Sequence, residues 1–247
     1  MTTTTQLRPA AKPGYDPLYR QVKRQLLTRI AAGEWPPGGA LPSEHQLAAS
    51  LEVSQGTVRK ALDELSSENL LVRRQGRGTF VAEHDQQRTL FQFFMITSDD
   101  GRRQFPETTF SRLAKGPATK AEAERLRLSR GARVWRVLRH RSLDGQVMVV
   151  ERIALPMQLF PGLDEHKPLP NNVYRLYEQR YGRTVAGAAE KLKAVSASAE
   201  DATALGCSPG DPVLLIDRVA NGITGDPLEL RQSVCRTDWV HYLSDLR

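Results

Sequence analysis

Two sets of residues in this 247-residue chain have the types and spacing to do chemistry. The first is Arg139 and Arg141 in Leu138-Arg139-His140-Arg141-Ser142, followed by Glu151 in Val149-Val150-Glu151-Arg152-Ile153. Residues two apart in an extended strand share a face, so both guanidiniums point the same way. A hairpin reversing at Asp144-Gly145 could set Glu151 opposite them. Paired guanidiniums with a carboxylate can hold an anionic ligand that also carries hydroxyl or amine groups. The same spacing also fits a surface charge ladder, worth roughly a few tenths of a kcal/mol per pair. The second set is Ser54-Gln55-Gly56-Thr57-Val58-Arg59-Lys60-Ala61-Leu62. A helix starting with small residues can press its front into a major groove, with Gln55, Gly56, Thr57, Arg59 and Lys60 at base edges. Gly56 costs about 1 kcal/mol of helix propensity relative to Ala. Close approach to DNA is one compensation; a merely solvated first turn is the alternative.

The elements needed to position the second set are legible around it. Pro17 suits a helix start, and Leu18, Val22, Leu26 and Ile30 recur every four residues. Gly33 and Trp35-Pro36-Pro37-Gly38-Gly39 stop that helix. Ser43 with Gln46 three residues on is a capping box opening a short helix that carries Leu47, Ala48 and Leu51. Glu52-Val53 turns the chain, and Ser54 caps the next helix, whose buried side is Val58, Ala61, Leu62 and Leu65. Leu70-Leu71-Val72 and Thr79-Phe80-Val81 are strand-like runs around Arg73-Arg74-Gln75-Gly76-Arg77-Gly78. Helix, helix, capped helix and basic hairpin describe a winged helix-turn-helix, whose wing tip can reach phosphates or a narrow minor groove.

Composition sets looser bounds. Thirty-five Lys and Arg against 28 Asp and Glu give a net charge of +7, divided as eleven against eight in residues 1–83 and 24 against 20 beyond, so no basic tail stands out. An anionic partner is favoured only weakly. Cys207 and Cys235 form no C-x-x-C pair and the five histidines do not cluster, which argues against a zinc site or a disulfide-stapled fold. The opening Met-Thr-Thr-Thr-Thr-Gln-Leu-Arg lacks an apolar signal region, and no stretch reaches membrane-span length. A cytoplasmic protein without cofactor or metal is expected. With no nucleophile elbow, metal-ligand spacing or phosphate-cradling Gly loop, an enzyme is disfavoured.

Beyond the polar stretch Glu83-His84-Asp85-Gln86-Gln87-Arg88, the chain carries a faint internal repeat. Residues 123–139 and 202–218 align on Gly131 and Gly210, matching Leu126 with Leu205, Val134 with Val213 and Arg139 with Arg218. Each copy reads as a helix, a Gly turn and a strand, then a turn and a strand bearing Glu151 or Glu229. Two helix–hairpin units argue for an α+β sheet with helices set against it.

The run from Leu41-Pro42-Ser43-Glu44-His45 through Thr57-Val58-Arg59-Lys60-Ala61-Leu62 to Gly76-Arg77-Gly78-Thr79-Phe80-Val81 resembles the DNA-binding domain of the GntR family of bacterial transcription regulators. The resemblance implies DNA contacts at His45, Ser54, Gln55, Gly56, Thr57, Arg59, Gln75, Gly76 and Arg77, to which the helix itself adds Lys60. The family carries Arg where this chain has His45 and Gln55. An Arg on guanine is worth about 1–3 kcal/mol of discrimination, and Gln can read adenine instead, so an altered operator is implied. Further on, Arg139-His140-Arg141-Ser142-Leu143-Asp144-Gly145, Glu151-Arg152-Ile153-Ala154-Leu155-Pro156, Asn172-Val173-Tyr174 and Asp226-Pro227-Leu228-Glu229-Leu230-Arg231 resemble the UTRA effector-binding domain of HutC-type members, a mixed α/β fold like that of chorismate lyase. That likeness implies an effector site at Arg139, Arg141, Glu151 and Glu229, with Asn172 and Tyr174 beside it. The family favours an aromatic where Cys235 stands, and residues 91–107 differ from those of phosphosugar-binding relatives, which points to an organic acid or another small anion. The expected organisation is a tail over 1–15, a winged helix-turn-helix over 16–82, a linker over 83–89, and an effector-binding and dimerisation domain over 90–247. One winged module buries only about 600–1,000 Å² on DNA. A homodimeric repressor on a palindromic operator is therefore expected, tuned by a small anionic metabolite. An architectural DNA binder without a ligand is the competing reading.

Overall fold

The computed structural model describes residues 16–83, 93–101 and 104–244, without the side chains of Phe110 and Ser111. The expected tail over 1–15 lies outside the described residues, as does the expected linker apart from Glu83. The N-terminal unit is built from α1 (Leu18–Ala31), α2 (Glu44–Ser50), α3 (Gln55–Ser67) and a two-stranded wing, β1 (Leu71–Arg74) against β2 (Gly78–Val81). Its core joins Val22, Leu26 and Ile30 of α1 to Leu47, Val58, Ala61, Leu62 and Leu65, closed below by Leu71 and Val81. The four-residue stripe on α1 begins one turn later than its spacing implied, because Leu18 is 51% exposed. Both caps form: Ser43 and Gln46 make the reciprocal capping box, and Ser54 accepts from the Thr57 amide.

The second unit is an α+β fold around a six-stranded antiparallel sheet. It comprises β4 (Glu107–Pro117), α4 (Lys120–Arg125), β5 (Arg133–Leu143), β6 (Gln146–Pro156), α5 (Val173–Tyr181), β7 (Val185–Ser196), α6 (Ala199–Leu205), β8 (Pro212–Gly222) and β9 (Pro227–Cys235). The short strands β3 (Ile96–Ser98) and β10 (Val240–Tyr242) pair with each other. The sheet order β4-β5-β6-β9-β8-β7 shows the internal repeat in space. β4-α4-β5-β6 and β7-α6-β8-β9 are two copies of one unit, meeting where β6 pairs with β9. Each copy thus includes a leading edge strand that the repeat read from sequence lacked. Gly131 and Gly210 occupy equivalent helix-to-strand turns with φ of +82° and +93°, a backbone region that favours Gly.

Alternation along the strands separates two faces. On one, Leu126, Val134, Ala154 and Leu230 pack together, and Val150, Val213 and Val234 meet Ala202 and Leu205 of α6. On the other, Trp135, Val137, Ile153 and Leu155 pack against Val173, Tyr174 and Tyr177 of α5. Ala186 of β7 and Ile223 of the β8–β9 turn rest on the N-terminal core. No helix among the described residues is long and apolar enough to cross a membrane.

Candidate functional site

The N-terminal end of α3 stands free of the protein's own packing. Gln55 and Gly56 are exposed, as are His45 in the first turn of α2 and Gln75, Gly76 and Arg77 at the wing tip. A Cβ at Gly56 would meet nothing nearer than Ser54 Oγ at 3.9 Å, so no contact inside the chain requires glycine there. Thr57 has a second task besides any external contact, because its hydroxyl exchanges a 2.8 Å hydrogen bond with Ser54 Oγ. The wing reverses through Arg74-Gln75-Gly76-Arg77, where the Arg77 amide donates to the Arg74 carbonyl at 2.9 Å.

Glu44 ties these pieces together. One of its oxygens accepts from Arg59 Nε at 2.9 Å and lies 2.8 Å from Arg59 Nη2, and the other lies 3.4 Å from Arg73 of the wing. Glu44 thereby fixes the Arg59 side chain of α3 and links it to the wing. Lys60 turns the other way, with Nζ 4.1 Å from the centroid of the Tyr19 ring on α1. The sequence-derived set thus holds together at one end of α3 and the wing, with Lys60 leaning aside.

The second constellation is buried, which removes the surface-ladder alternative. Arg139 and Arg141 are each 1% exposed, Glu151 2% and Glu229 0%. Arg139 and Glu151 are direct register partners across β5 and β6. Arg139 Nε and Nη2 reach one Glu151 oxygen at 3.1 and 2.9 Å. Tyr174 and Tyr177, one turn apart on α5, donate to the two Glu229 oxygens at 3.2 and 2.8 Å. Arg141 donates to the Pro106 carbonyl at 2.7 Å and the Asn171 carbonyl at 3.3 Å, while its Nε has no partner among the described residues. Asn172 caps α5 by accepting from the Arg175 amide and lines the same small space.

Five residues outside the sequence-derived set complete the cluster. Arg231 grips both Glu229 oxygens at 2.8 and 2.9 Å and reaches Glu151 at 3.1 Å. Arg218 bonds Glu190 of β7 at 2.6 Å and also meets the Phe93 carbonyl. Tyr177 and Asn171 were missed as neighbours of Tyr174 and Asn172. Signals existed for the two arginines: Arg218 is the repeat-mate of Arg139, and Arg231 lies two residues from Glu229 on the same strand face. Glu190 carried no signal, since β7 lay outside the repeat as read from sequence.

Electrostatics act on several members of the cluster. Burial opposes ionisation of Glu151, but Arg231, Arg139 and Arg218 outweigh it and hold its carboxyl below the usual carboxylate range. Burial also disfavours the Arg231 cation, yet Glu229 and Glu151 raise it well above its ordinary value. Burial, then Glu229, pushes the Tyr174 and Tyr177 hydroxyls up, so they remain donors. Burial likewise pushes the Cys235 thiol up and leaves it inert. Two openings of about 20 Å³ adjoin the cluster, one beside Arg141 and one beside Glu151 and Arg231, each enough for a single water. A larger groove of about 480 Å³ opens on the other face between α4 and α6. Most of its guanidiniums are already engaged, Arg136 by Glu122 and Arg152 by Asp201, so its volume alone does not make it the anion site.

A winged helix with a free recognition end, joined to a sheet with a buried guanidinium–carboxylate cluster, defines a two-domain DNA-binding regulator of the ligand-sensing class. Residues 18–81 match the bacterial regulatory proteins of the gntR family, and residues 101–241 match the UTRA domain. The chain belongs to the GntR family, in its UTRA-bearing, HutC-type branch. It is 32% identical over 234 residues to the HTH-type transcriptional repressor NagR of Bacillus subtilis, covering 93% of this chain and 96% of that one. The histidine utilization repressor of Pseudomonas aeruginosa is 45% identical over 87 residues, 35% of each chain. The ligand-binding domain of a GntR-family regulator from Bordetella bronchiseptica superposes with a TM-score of 0.57 at 30% identity, covering 63% of this chain and 98% of that domain. The protein is a transcription regulator of a family whose GntR domains bind DNA and whose UTRA domains bind small-molecule effectors.

Proposed function

We propose that the protein is a repressor that binds a two-fold symmetric operator as a homodimer and is released by a small organic anion bound at the Arg139, Arg141, Glu151 and Glu229 cluster. Its place of action on this reading is the bacterial cytoplasm. The observation that carries the reading is the Arg141 guanidinium, which is buried, has an Nε without a partner among the described residues, and faces a small space edged by Phe93, Phe94, Phe105 and Asn172. A buried donor without an acceptor costs about 1–3 kcal/mol, and a ligand oxygen would relieve that cost.

On the DNA side, the reading rests on the free face of α3 and the wing. Ser54, Gln55, Gly56, Thr57 and Arg59 would enter the major groove, with His45 and Lys60 beside them and Gln75, Gly76 and Arg77 on the backbone or minor groove. A single module of this size buries too little surface for tight specific binding, which supports two copies on one operator. Coupling has a short path. Arg218 of the cluster and Ile223, which touches the N-terminal core, lie five residues apart on one hairpin. A coupling of roughly 1–3 kcal/mol would loosen operator binding about 5–150-fold.

Selection of bound fragments from the source genome by the purified protein, at near-physiological salt, tests the reading. A few fragments sharing one palindrome are expected, and the genes beside them nominate the effector. Recovery of unrelated fragments, with binding that collapses steeply as salt rises, would mean that phosphate contacts dominate and would sink the operator claim.

A further inference from the structure

We infer that Arg231 fills the space between Glu151 and Glu229 in place of a ligand's hydroxyl or amine groups, and so restricts the effector to a singly charged carboxylate on a flat apolar body, docked on Arg141. This rests on the effector reading above and narrows it.

Most of the acceptor capacity of the two buried carboxylates is already taken. One Glu229 oxygen takes Arg231 Nε and the Tyr174 hydroxyl, the other Arg231 Nη2 and the Tyr177 hydroxyl. One Glu151 oxygen takes Arg231 Nη1 and the other Arg139 Nε. A polyol or amine seeking a carboxylate acceptor finds only the second lone pair of the Glu151 oxygen that Arg231 Nη1 already engages.

Charge points to the same class. Arg139 and Arg231 are matched by Glu151 and Glu229, and Arg218 by Glu190. Among the described residues Arg141 is left as the guanidinium in excess, since its nearest carboxylate oxygen there is 3.8 Å away on Glu151, which Arg139 already holds at 2.9 Å. Its hydrogen bonds go to neutral carbonyls of Pro106 and Asn171. One negative charge neutralises this excess; two would leave an uncompensated anion in a buried site. A carboxylate also suits the planar guanidinium fork.

The surroundings of Arg141 are aromatic. The Phe105 and Phe94 ring centroids stand 4.9 and 5.9 Å from its Cζ, and Phe93 lines the same space. A space of about 20 Å³ admits one water, so a ligand body must take over a place against the guanidinium that a phenylalanine ring now holds. A flat apolar ligand replaces that contact in kind.

The test uses the full-length protein, its Arg231→Ala and Arg141→Gln variants, and four probes: benzoate, phthalate, inorganic phosphate and glucose 6-phosphate. Binding is read by calorimetry and thermal shift, with circular dichroism to check folding. Wild type is expected to bind benzoate at least 10-fold more tightly than any of the three other probes. Arg141→Gln should weaken benzoate at least 10-fold, and Arg231→Ala, tested in addition with glucosamine, should bind that amine at least 10-fold more tightly than wild type does. Wild type favouring glucose 6-phosphate or phosphate, through Arg141, overturns the inference and leaves the effector site standing. The wild-type ranking decides the matter even if Arg231→Ala does not fold. If no probe binds wild type, or benzoate binding ignores Arg141→Gln, the effector reading fails and this inference with it.

Discussion

The buried charge cluster makes its sharpest prediction through Glu151→Gln. Glu151 is 3% exposed at its side chain and has three guanidiniums around it, Arg139 at 2.9 Å, Arg231 at 3.1 Å and Arg141 at 3.8 Å. The substitution keeps the size and one acceptor but deletes the charge, leaving four buried guanidiniums facing only Glu229 and Glu190. Breaking a buried pair by removing one partner costs about 3–5 kcal/mol, because the remaining charge stays desolvated. In a domain of this size each kcal/mol moves the midpoint by about 2–4 °C, so scanning calorimetry should show the second domain's transition about 6–20 °C lower. The pH dependence has a definite sign. The folded Glu151 carboxyl titrates below its unfolded value, so its contribution is fully present above about pH 4.3 and is lost as pH falls through the lower folded value. Wild type and Glu151→Gln should therefore differ equally at pH 7 and pH 6 and converge under strongly acidic conditions. A loss below about 1 kcal/mol at pH 7, the range of exposed pairs, would refute the claim that this cluster is desolvated and mutually dependent.

Three further outcomes follow from particular contacts. Gly56→Ala should leave the fold intact and stabilise it by up to about 1 kcal/mol in urea unfolding, since no atom blocks the added Cβ, while operator affinity in a gel shift falls. Arg59→Ala should lose roughly 10–100-fold of the discrimination between the operator and single-base variants, whereas Arg77→Ala should weaken all sequences alike and lower the salt slope by about 1. Trp135→Phe removes the 2.8 Å bond from Nε1 to the buried Phe160 carbonyl and should cost about 1–3 kcal/mol by calorimetry, with DNA binding at low temperature unchanged.

Local rules carried most of the fold from sequence. Ser43, Ser54 and the glycine turns act within four residues of themselves, so their effects could be read one segment at a time. The repeat was visible because Leu126 and Leu205, Val134 and Val213 are all buried by equivalent helix-on-sheet contacts. The leading strands β4 and β7 escaped because edge strands do not need a continuous apolar face: β7 is mostly exposed or half-buried along Ala186–Ser196. Leu18 misled for a related reason, since a helix's periodicity says which side is apolar but not where its partner begins.

The site was harder to read than the fold, and Arg231 explains why. Alternation placed Arg139, Arg141 and Glu151 on a shared face but could not say whether that face met water or a helix. What settles it is α5, whose Tyr174 and Tyr177 arrive from a segment with no sequence proximity and cover the sheet with hydroxyls aimed at Glu229. Once that face is dry, each carboxylate needs a cation, and the second repeat supplies Arg218 and Arg231 as the first supplies Arg139 and Arg141. Register then separates their roles. Arg139 lies directly opposite Glu151, whereas Arg231 lies opposite Arg218 and must turn along its own strand to reach Glu229 two residues away. The duplication therefore supplies two similar charge pairs but an asymmetric pocket, with its spare guanidinium, Arg141, on the first-repeat side.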